Sequence, residues 1–199
     1  MYPTKTPHTN DNDWCFPPTT TREALTQDTG TDADFRSMIY GIFTMSVNFD
    51  RIRERMATAL KLSGIQYHIL MVVAELSPDT PVTVSRIAER LYTSGAYVTM
   101  ETKKLLHRGL LEKRPNPDDG RSVFIILTDE GRAAIDAFAP YLRAINDELF
   151  DGIGPETFNQ FRAIVSHMTR TSGRAAELAD AVARDYAEIK DTKSDAVGR

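Results

Sequence analysis

The sequence predicts a mainly α-helical fold with one small β-ribbon, an α+β class in which strands are few. From residue 33 to residue 189, apolar residues recur mostly at helical spacing. One stretch, Ser122–Leu127, is instead rich in β-branched and aromatic residues, which favour a strand. The turn formers of Pro115–Gly120 precede it, so we expect a two-stranded ribbon with an exposed tip.

Two short helices are predicted just before the ribbon. Thr83 is placed to cap a helix over Val84–Leu91, and Ser94 to cap a second over Gly95–Arg108. Gly109 supplies the left-handed residue that ends the second helix. Two helices joined by a tight turn and followed by a ribbon make a winged helix-turn-helix, whose second helix can enter the DNA major groove while the ribbon reaches a minor groove.

Composition fits this prediction and excludes several other classes. The 199 residues can bury one core, with 41% hydrophobic and 26% charged residues. No apolar run approaches the roughly 20 residues of a membrane span, no signal peptide is visible, and a single cysteine cannot form an internal disulfide. We therefore expect a cytoplasmic protein. The four scattered histidines predict no metal site, we expect no cofactor, and the usual enzyme motifs are absent.

The net charge of −4 is unevenly distributed along the chain. Residues 82–121 hold eight lysines and arginines against five acidic residues, a net charge of +3, which leaves −7 for the remainder. A solvated surface alone can carry such a cluster. On a helix-turn-helix with a wing, however, clustered positive charge indicates a nucleic-acid surface.

The same stretch carries a family resemblance. Its pattern is Ser94-x-x-x-Val98-Thr99, then Leu105-x-x-Arg108-Gly109-Leu110-Leu111, Arg114, Asp118-Asp119-Gly120-Arg121 and Leu127-Thr128-x-x-Gly131-Arg132. This resembles the multiple-antibiotic-resistance-regulator (MarR) family, most specifically in the wing and less so over residues 34–172. The resemblance implies a homodimeric, sequence-specific DNA-binding regulator, commonly a repressor that a small ligand releases from a palindromic operator.

We expect five segments along the chain. They are a flexible N-terminal arm (1–32), an N-terminal dimerisation helix (33–62) stopped by Gly64, the winged helix-turn-helix domain (63–128), C-terminal dimerisation helices (129–190) and a loose tail (191–199). Within these segments, helices are predicted at Ile65–Leu76, Asp129–Phe150, Glu156–Thr171 and, separately, Ala175–Ile189.

The second helix of the pair is the predicted recognition helix. Val98, Thr102 and Leu105 share one face and should pack inward. The DNA-binding candidates are Ser94, Gly95, Tyr97, Thr99, Met100, Lys103 and Lys104, with Arg114 and Arg121 on the ribbon. Hydroxyls and lysines suit phosphates, and Tyr97 or Met100 can touch thymine methyl groups. Many relatives carry an arginine near position 95 or 100, so this helix departs from them as a reader of guanine. Arg121 is the minor-groove candidate, with a salt bridge to Asp118 or Asp119 as its alternative role.

A ligand pocket is implied where the dimerisation helices meet the winged domain. The matching segments offer Tyr40, Phe43, Asn48, Arg51, Tyr67, His68 and Met71. An aromatic wall with one cation or imidazole suits a small aromatic carboxylate. The alternative is that the aromatic residues belong to the core and Arg51 is a surface charge.

Two other functions are compatible with the sequence. Some hydroperoxide-sensing relatives carry a reactive cysteine near the N-terminus, so Cys15 raises the possibility of a redox sensor. A winged helix can also serve protein contacts without binding DNA. Salt-dependent DNA binding distinguishes that alternative from a regulator.

Overall fold

The computed structural model describes residues 15–26, 31–76, 82–117 and 122–197, with side chains to residue 190. It has six α-helices and three strands within these ranges. They are α1 (Ala33–Ala59), α2 (Gly64–Leu76), β1 (Val82–Thr83), α3 (Val84–Arg90), α4 (Gly95–His107), β2 (Leu111–Pro115), β3 (Val123–Leu127), α5 (Asp129–Leu149) and α6 (Pro155–Val197). The mainly α fold with a small sheet is the predicted class. The chain forms two compact units, Met1–Ala139 and Pro140–Arg199.

The predicted caps of the helix-turn-helix are confirmed. The Thr83 hydroxyl accepts a hydrogen bond from the backbone N–H of Arg86 at 3.3 Å, which caps α3. The Ser94 hydroxyl accepts one from the N–H of Tyr97 at 3.2 Å, which caps α4. Gly109 follows α4 with φ +72°, the left-handed conformation predicted for it. Local sequence therefore fixes both ends of this unit.

The sheet is antiparallel, in the order β1-β3-β2, with Val82 opposite Ile125 and Leu111 opposite Leu127. These four side chains are buried, so one face of the ribbon closes the core. The tip, residues 118–121, lies outside the described residues.

The core of the first unit centres on α2. Ile69, Leu70 and Val73 are fully buried there, with Val98 and Leu105 of α4 also fully buried. All five belong to a single hydrophobic cluster. Apolar burial thus holds the inward-facing stripe of α4 in place. The other faces of the helix are free to make polar contacts.

The start of α5 is fastened to the turn between α4 and β2. The Thr128 hydroxyl donates to the carbonyl of Gly109 at 2.6 Å and accepts from the N–H of Gly131 at 3.0 Å, so the predicted cap is confirmed. Gly131 is buried, and a Cβ built on it would lie 2.2 Å from the carbonyl oxygen of Leu110. Only glycine allows this close approach.

The prediction that Gly64 ends the first helix is wrong. The helix ends at Ala59, and Lys61, at φ +55°, makes the turn. Gly64 instead begins α2, where a Cβ would meet the carboxyl of Glu54 at 2.1 Å. Ser63 and Gln66 exchange backbone-to-side-chain hydrogen bonds at 3.2 and 3.4 Å, a capping box that stabilises the helix start.

Separate C-terminal helices were also predicted wrongly, because α6 is one helix of 43 residues. Gly173 lies within it. A glycine in a helix interior destabilises it by only about 1 kcal/mol, and no proline interrupts the sequence beyond Pro155. Good helix formers on both sides of Gly173 are enough for the helix to continue through this residue.

Part of the predicted N-terminal arm is folded. Thr19 donates its backbone N–H and its hydroxyl to one carboxylate oxygen of Asp32, at 2.5 and 2.6 Å, and Arg36 pairs with the other oxygen. The Arg36 guanidinium also lies 5.0 Å from the ring centre of Phe16. These bonds lower the pKa of Asp32, those from Thr19 most of all. Residues 1–14 and 27–30 of the predicted arm lie outside the described residues.

Within the described residues, no single helix is long and apolar enough to cross a membrane. α1 and α2, which are bent by 83° relative to each other, together have the length and apolar composition of a membrane span, and only length and composition support such a span.

Candidate nucleic-acid interface

The recognition helix α4 presents the surface that the sequence predicted. Val98, Thr102 and Leu105 are at most 2% exposed and pack inward, as expected. The seven DNA-binding candidates at the start and on the outer faces of α4 are all exposed: Ser94, Gly95, Tyr97, Thr99, Met100, Lys103 and Lys104. Thr99 donates its hydroxyl hydrogen bond to the carbonyl of Gly95, which leaves the oxygen's lone pairs free to accept. The helix thus offers mixed polar and apolar groups of the kind that contact base edges.

The ribbon continues this surface. Arg114 on β2 is exposed, and its guanidinium donates to the Glu112 carboxylate at 2.9 Å. Arg121, the predicted minor-groove residue, lies outside the described residues together with its alternative partners Asp118 and Asp119. The predicted role of the wing tip therefore stays a prediction.

A groove lies between α4, the start of α3 and the ribbon, with a volume of about 270 Å³. Two lysines, Lys103 and Lys113, line it together with hydroxyl groups of Ser85, Thr99 and Ser122. Among the described residues, neither lysine forms an ion pair. Cations and hydroxyls arranged in this way suit a phosphate group.

Sequence reasoning omitted Lys113, Ser85 and Ser122 from the site. Lys113 entered only the regional charge count, because nothing local shows that β2 runs beside α4. Its position opposite Ile125 in the strand register is the contact that brings it to this groove.

Lys104 differs from Lys103 because a buried carboxylate holds it. Glu101 is only 4% exposed, and its two oxygens accept from Lys104 at 2.7 Å and from the Gln66 side chain at 2.9 Å. The bond from Lys104 is the main reason why the pKa of Glu101 is lowered, with Gln66 contributing in the same direction against the effect of burial. The hydrogen bond from Gln66 to Glu101 ties α4 to the start of α2.

Arg108, at the end of α4, also serves the fold. Its guanidinium donates to the carbonyl of Leu60 at 3.2 Å and to that of Lys61, in the turn that follows α1. The middle and the C-terminal end of the recognition helix are thus positioned by polar contacts.

A second groove, of about 480 Å³, opens between α1, α2 and α4. Arg53 and His68 lie on one side, and Tyr97 and Lys104 of the recognition helix lie on the other. Burial lowers the pKa of His68, and the nearby Arg53 charge lowers it further against the opposing effect of Asp50 and Glu54, which favours the neutral imidazole. Arg53 is a cation on this side of the groove, where it forms ion pairs with Asp50 at 3.1 Å and with Glu54 at 3.3 Å.

Of the seven predicted ligand-binding residues, only His68 lines either of these grooves. Tyr67 is part of the core, where burial raises its pKa and its hydroxyl contacts the sulfur of Met56 at 3.7 Å. Tyr40, Phe43, Asn48 and Arg51 are exposed along α1, and Met71 is half-buried in α2. The set as a ligand pocket remains a prediction.

The remaining candidate groups are the single cysteine and the side chains that could bind a metal ion. Cys15 is exposed. Within the described residues, histidine, cysteine and carboxylate side chains form no cluster of three that could hold a metal ion.

A capped, exposed second helix, a tight turn and an antiparallel ribbon define a winged helix-turn-helix protein. Residues 60–122 match the family model described as MarR family. The HTH-type transcriptional repressor MdtR of Bacillus subtilis (strain 168) is 27% identical over 129 residues, which are 65% of this chain and 81% of MdtR. The transcriptional regulator AdcR of Streptococcus pneumoniae is 41% identical over 71 residues, covering 36% of this chain and 46% of AdcR.

Solved structures share the fold at low sequence identity. The S. aureus MepR–DNA complex gives a TM-score of 0.58 at 20% identity, covering 66% of this chain and 94% of the MepR chain. The MarR family transcription regulator SP03579 gives 0.61 at 21% identity, covering 77% of this chain and 98% of that one. The chain therefore has a winged helix-turn-helix fold, and its residues 60–122 are similar to the MarR family of transcriptional regulators.

Proposed function

We propose that the protein is a homodimeric repressor that binds a palindromic operator and leaves it when a small aromatic acid binds. The observation that carries the DNA-binding part is the exposed outer surface of α4, which lies beside a groove lined by Lys103 and Lys113. It is supported by MdtR, a relative described as a transcriptional repressor, and by MepR, a structural neighbour solved with DNA.

The groups of this surface have separate roles in the proposal. Tyr97, Thr99 and Met100 face base edges in the major groove, and Lys103 and Lys113 neutralise phosphates at its border. The ribbon follows the backbone toward the minor groove, where Arg121 is the proposed contact. A two-fold dimer presents two such surfaces, so the half-site centres should lie about 10 bp apart.

Affinity measured against salt concentration tests this assignment. A site selected from random duplexes is titrated at several salt concentrations with the native protein, Lys103→Ala and Lys113→Ala. Each lysine contact with a phosphate contributes about one unit of slope, so each substitution should remove about two units from a homodimer.

Arg184→Ala is the matched control, because it removes one positive charge from α6, outside the proposed surface. Its salt slope should equal that of the native protein. Unchanged slopes in both lysine variants would reject the phosphate assignment, and a footprint over one asymmetric half-site at saturation would reject the dimeric operator.

The groove between α1, α2 and α4 is the proposed effector site. Tyr97 and Lys104 line this groove and also belong to the recognition helix, so a ligand there contacts the DNA-reading element directly. Arg53 would bind the carboxylate, and the neutral His68 would supply one hydrogen bond. A ligand that prefers one placement of α4 shifts the population of dimers away from the DNA-bound form.

Linkage gives this proposal a strict test, because DNA must weaken ligand binding by the same factor by which the ligand weakens DNA binding. Calorimetry with benzoates, hydroxycinnamates and nicotinates, on free and operator-bound protein, measures both. A coupling of about 1–3 kcal/mol, or roughly 5–150-fold, is usual for such switches. Equal binding to both forms, or no binding by any of these acids, would reject the aromatic effector and leave DNA binding untouched.

Two neighbouring arginines of α1 provide a matched pair for locating the anion. Arg53 lines the groove, whereas Arg51 is exposed on α1 and does not. Arg53→Met should abolish the release of the protein from DNA by the acid, and Arg51→Met should leave this release intact. The opposite result would move the anion to Arg51, which belongs to the pocket that the sequence predicted.

A further inference from the structure

The recognition helix α4 carries a buried carboxylate on its inner face. Glu101 is 4% exposed and lies one turn from Val98 and Leu105, which pack into the core. A carboxylate buried in this way must be hydrogen-bonded, because an unpaired buried charge strongly destabilises a fold. In the described structure its two donors are Lys104 at 2.7 Å and Gln66 at 2.9 Å.

Of these two donors, only Gln66 connects α4 to another part of the fold. Lys104 belongs to α4 itself, one turn beyond Glu101, so their ion pair cannot fix the helix against its neighbours. Gln66 belongs to the first turn of α2 and is half-buried. The hydrogen bond between Gln66 and Glu101 is therefore the polar contact that fixes the middle of α4 relative to α2.

The side-chain amide of Gln66 is itself held in one orientation. Its oxygen accepts a hydrogen bond from the backbone N–H of Ser63 at 3.2 Å, while its NH2 group donates to Glu101 at 2.9 Å. Turning the amide over would place its oxygen against the carboxylate and its NH2 group against an N–H, so both contacts would be lost. The capping box of α2 thus directs this donor toward α4.

A directional contact at this point is important for reading DNA. Apolar burial is non-directional, so the core alone permits small rotations of α4 about its axis. A rotation of about 10° moves an atom that lies about 6 Å from the axis by about 1 Å. This displacement exceeds the roughly 0.5 Å range of N–H···O distances in hydrogen bonds. Tyr97 and Met100, two of the proposed base contacts, lie within about one turn of Glu101 on the same helix, so they turn with it.

We propose that Gln66 and Glu101 are positioning residues for DNA recognition, because their hydrogen bond sets the rotation of α4 at which its outer side chains meet the base edges. Neither residue contacts DNA in this proposal. The inference rests on the proposed DNA binding, and it names two residues outside the DNA surface on which discrimination between sequences depends.

Exchanging the two side chains tests this role without changing the net charge of the protein. Gln66→Glu keeps the capping box, since Glu serves Ser63 as well as Gln does, but it places two carboxylates against each other. The double variant Gln66→Glu/Glu101→Gln restores one donor and one acceptor in the reverse direction. For each protein, the affinity for the duplex enriched by selection is divided by the affinity for a scrambled duplex of the same length, at one pH and one salt concentration.

The single variant should lower this ratio by about tenfold or more, which corresponds to one hydrogen bond to a charged group. The double variant should return the ratio to near the native value. An added negative charge alone weakens binding to both duplexes alike, because phosphate contacts carry no sequence information, and so it leaves the ratio unchanged.

Ser63→Ala is the matched control for stability. It removes the hydroxyl that accepts from the Gln66 N–H at the same helix start, so it should lower the melting temperature. The backbone N–H of Ser63 still holds the Gln66 amide, so the contact with Glu101 and the ratio should stay native.

A native ratio in Gln66→Glu, or a low ratio in the double variant as well, would overturn the positioning role. Equal losses of affinity for both duplexes, together with a lower melting temperature, would also overturn it and leave Gln66 as a residue of the fold alone. A native protein that bound both duplexes equally would refute the proposed sequence-specific binding and, with it, this inference.

Discussion

Gly131 provides a quantitative test of how the recognition unit is fastened to α5. A Cβ at this position would lie 2.2 Å from the Leu110 carbonyl oxygen, 3.1 Å from the Leu110 carbonyl carbon and 3.2 Å from a methyl group of Leu127. The carbonyl cannot easily move, because its oxygen accepts from the Thr128 N–H and the Leu110 N–H donates to Leu105. Gly131→Ala must therefore displace hydrogen-bonded backbone.

The expected loss of stability is the difference between two effects. Overpacking a filled site destabilises by about 1–3 kcal/mol, and backbone as the neighbour argues for about 3. Alanine is the better helix former by about 1 kcal/mol, which offsets part of this. The net loss should be about 2 kcal/mol, which lowers the melting temperature of a chain of this size by about 4–8 °C.

Thermal unfolding followed by circular dichroism, at one fixed protein concentration, measures this loss. Gly95→Ala is the control, because Gly95 is also in a helix but nothing lies within 4 Å of the place that an added Cβ would take there. It should be neutral or stabilising by up to about 1 kcal/mol. If Gly131→Ala melted at or above the native temperature, the close approach to Leu110 would not be a constraint.

Two further predictions concern hydrogen bonds at the starts of helices α4 and α1. Ser94→Ala removes the cap on the Tyr97 N–H and should destabilise the fold by about 1 kcal/mol in urea unfolding, whereas an unchanged midpoint would show that the cap is dispensable. Asp32 has a pKa below its unfolded value of 3.8, so its stabilising bonds are present above that value and lost as pH falls through the lower folded pKa. Asp32→Asn should expose residues 15–26 to limited proteolysis at neutral pH, and native cleavage rates would contradict the tie to Thr19.

The local signals in this sequence predicted local structure well. Thr83, Ser94 and Thr128 each carry a hydroxyl at a helix start, and Gly109 has the conformation that its place after α4 required. These features depend on a few neighbouring residues, so they can be read without tertiary information. The buried stripe of α4 was predicted equally well, because the spacing of its residues alone distinguishes the buried face of the helix from the exposed faces.

Features that depend on distant residues were not predictable in this way. Nothing local to Glu101 predicts its burial, because its partner Gln66 lies 35 positions away in the sequence. The close approach of Gly64 to the Glu54 carboxyl of another helix could not be predicted from neighbouring residues, so Gly64 was predicted to stop the first helix. Lys113 lines the groove beside Lys103 only because strand pairing places β2 beside α4.

Two of the described DNA-binding candidates, Lys104 and Arg114, are already engaged in ion pairs, and they are not equally available to DNA. Arg114 and Glu112 are both exposed, at 64% and 45% of their side chains, and an exposed pair contributes only about 0–1 kcal/mol. A phosphate can therefore compete for Arg114 with little loss. The Glu101 side chain is 5% exposed, so a move of Lys104 to a phosphate would leave a buried carboxylate with Gln66 as its remaining hydrogen-bond donor in the described structure. Removing one partner of a buried charge is strongly unfavourable. In the proposed DNA complex, Arg114 consequently belongs with Lys103 and Lys113 among the residues that contact DNA, whereas Lys104 stays paired with Glu101.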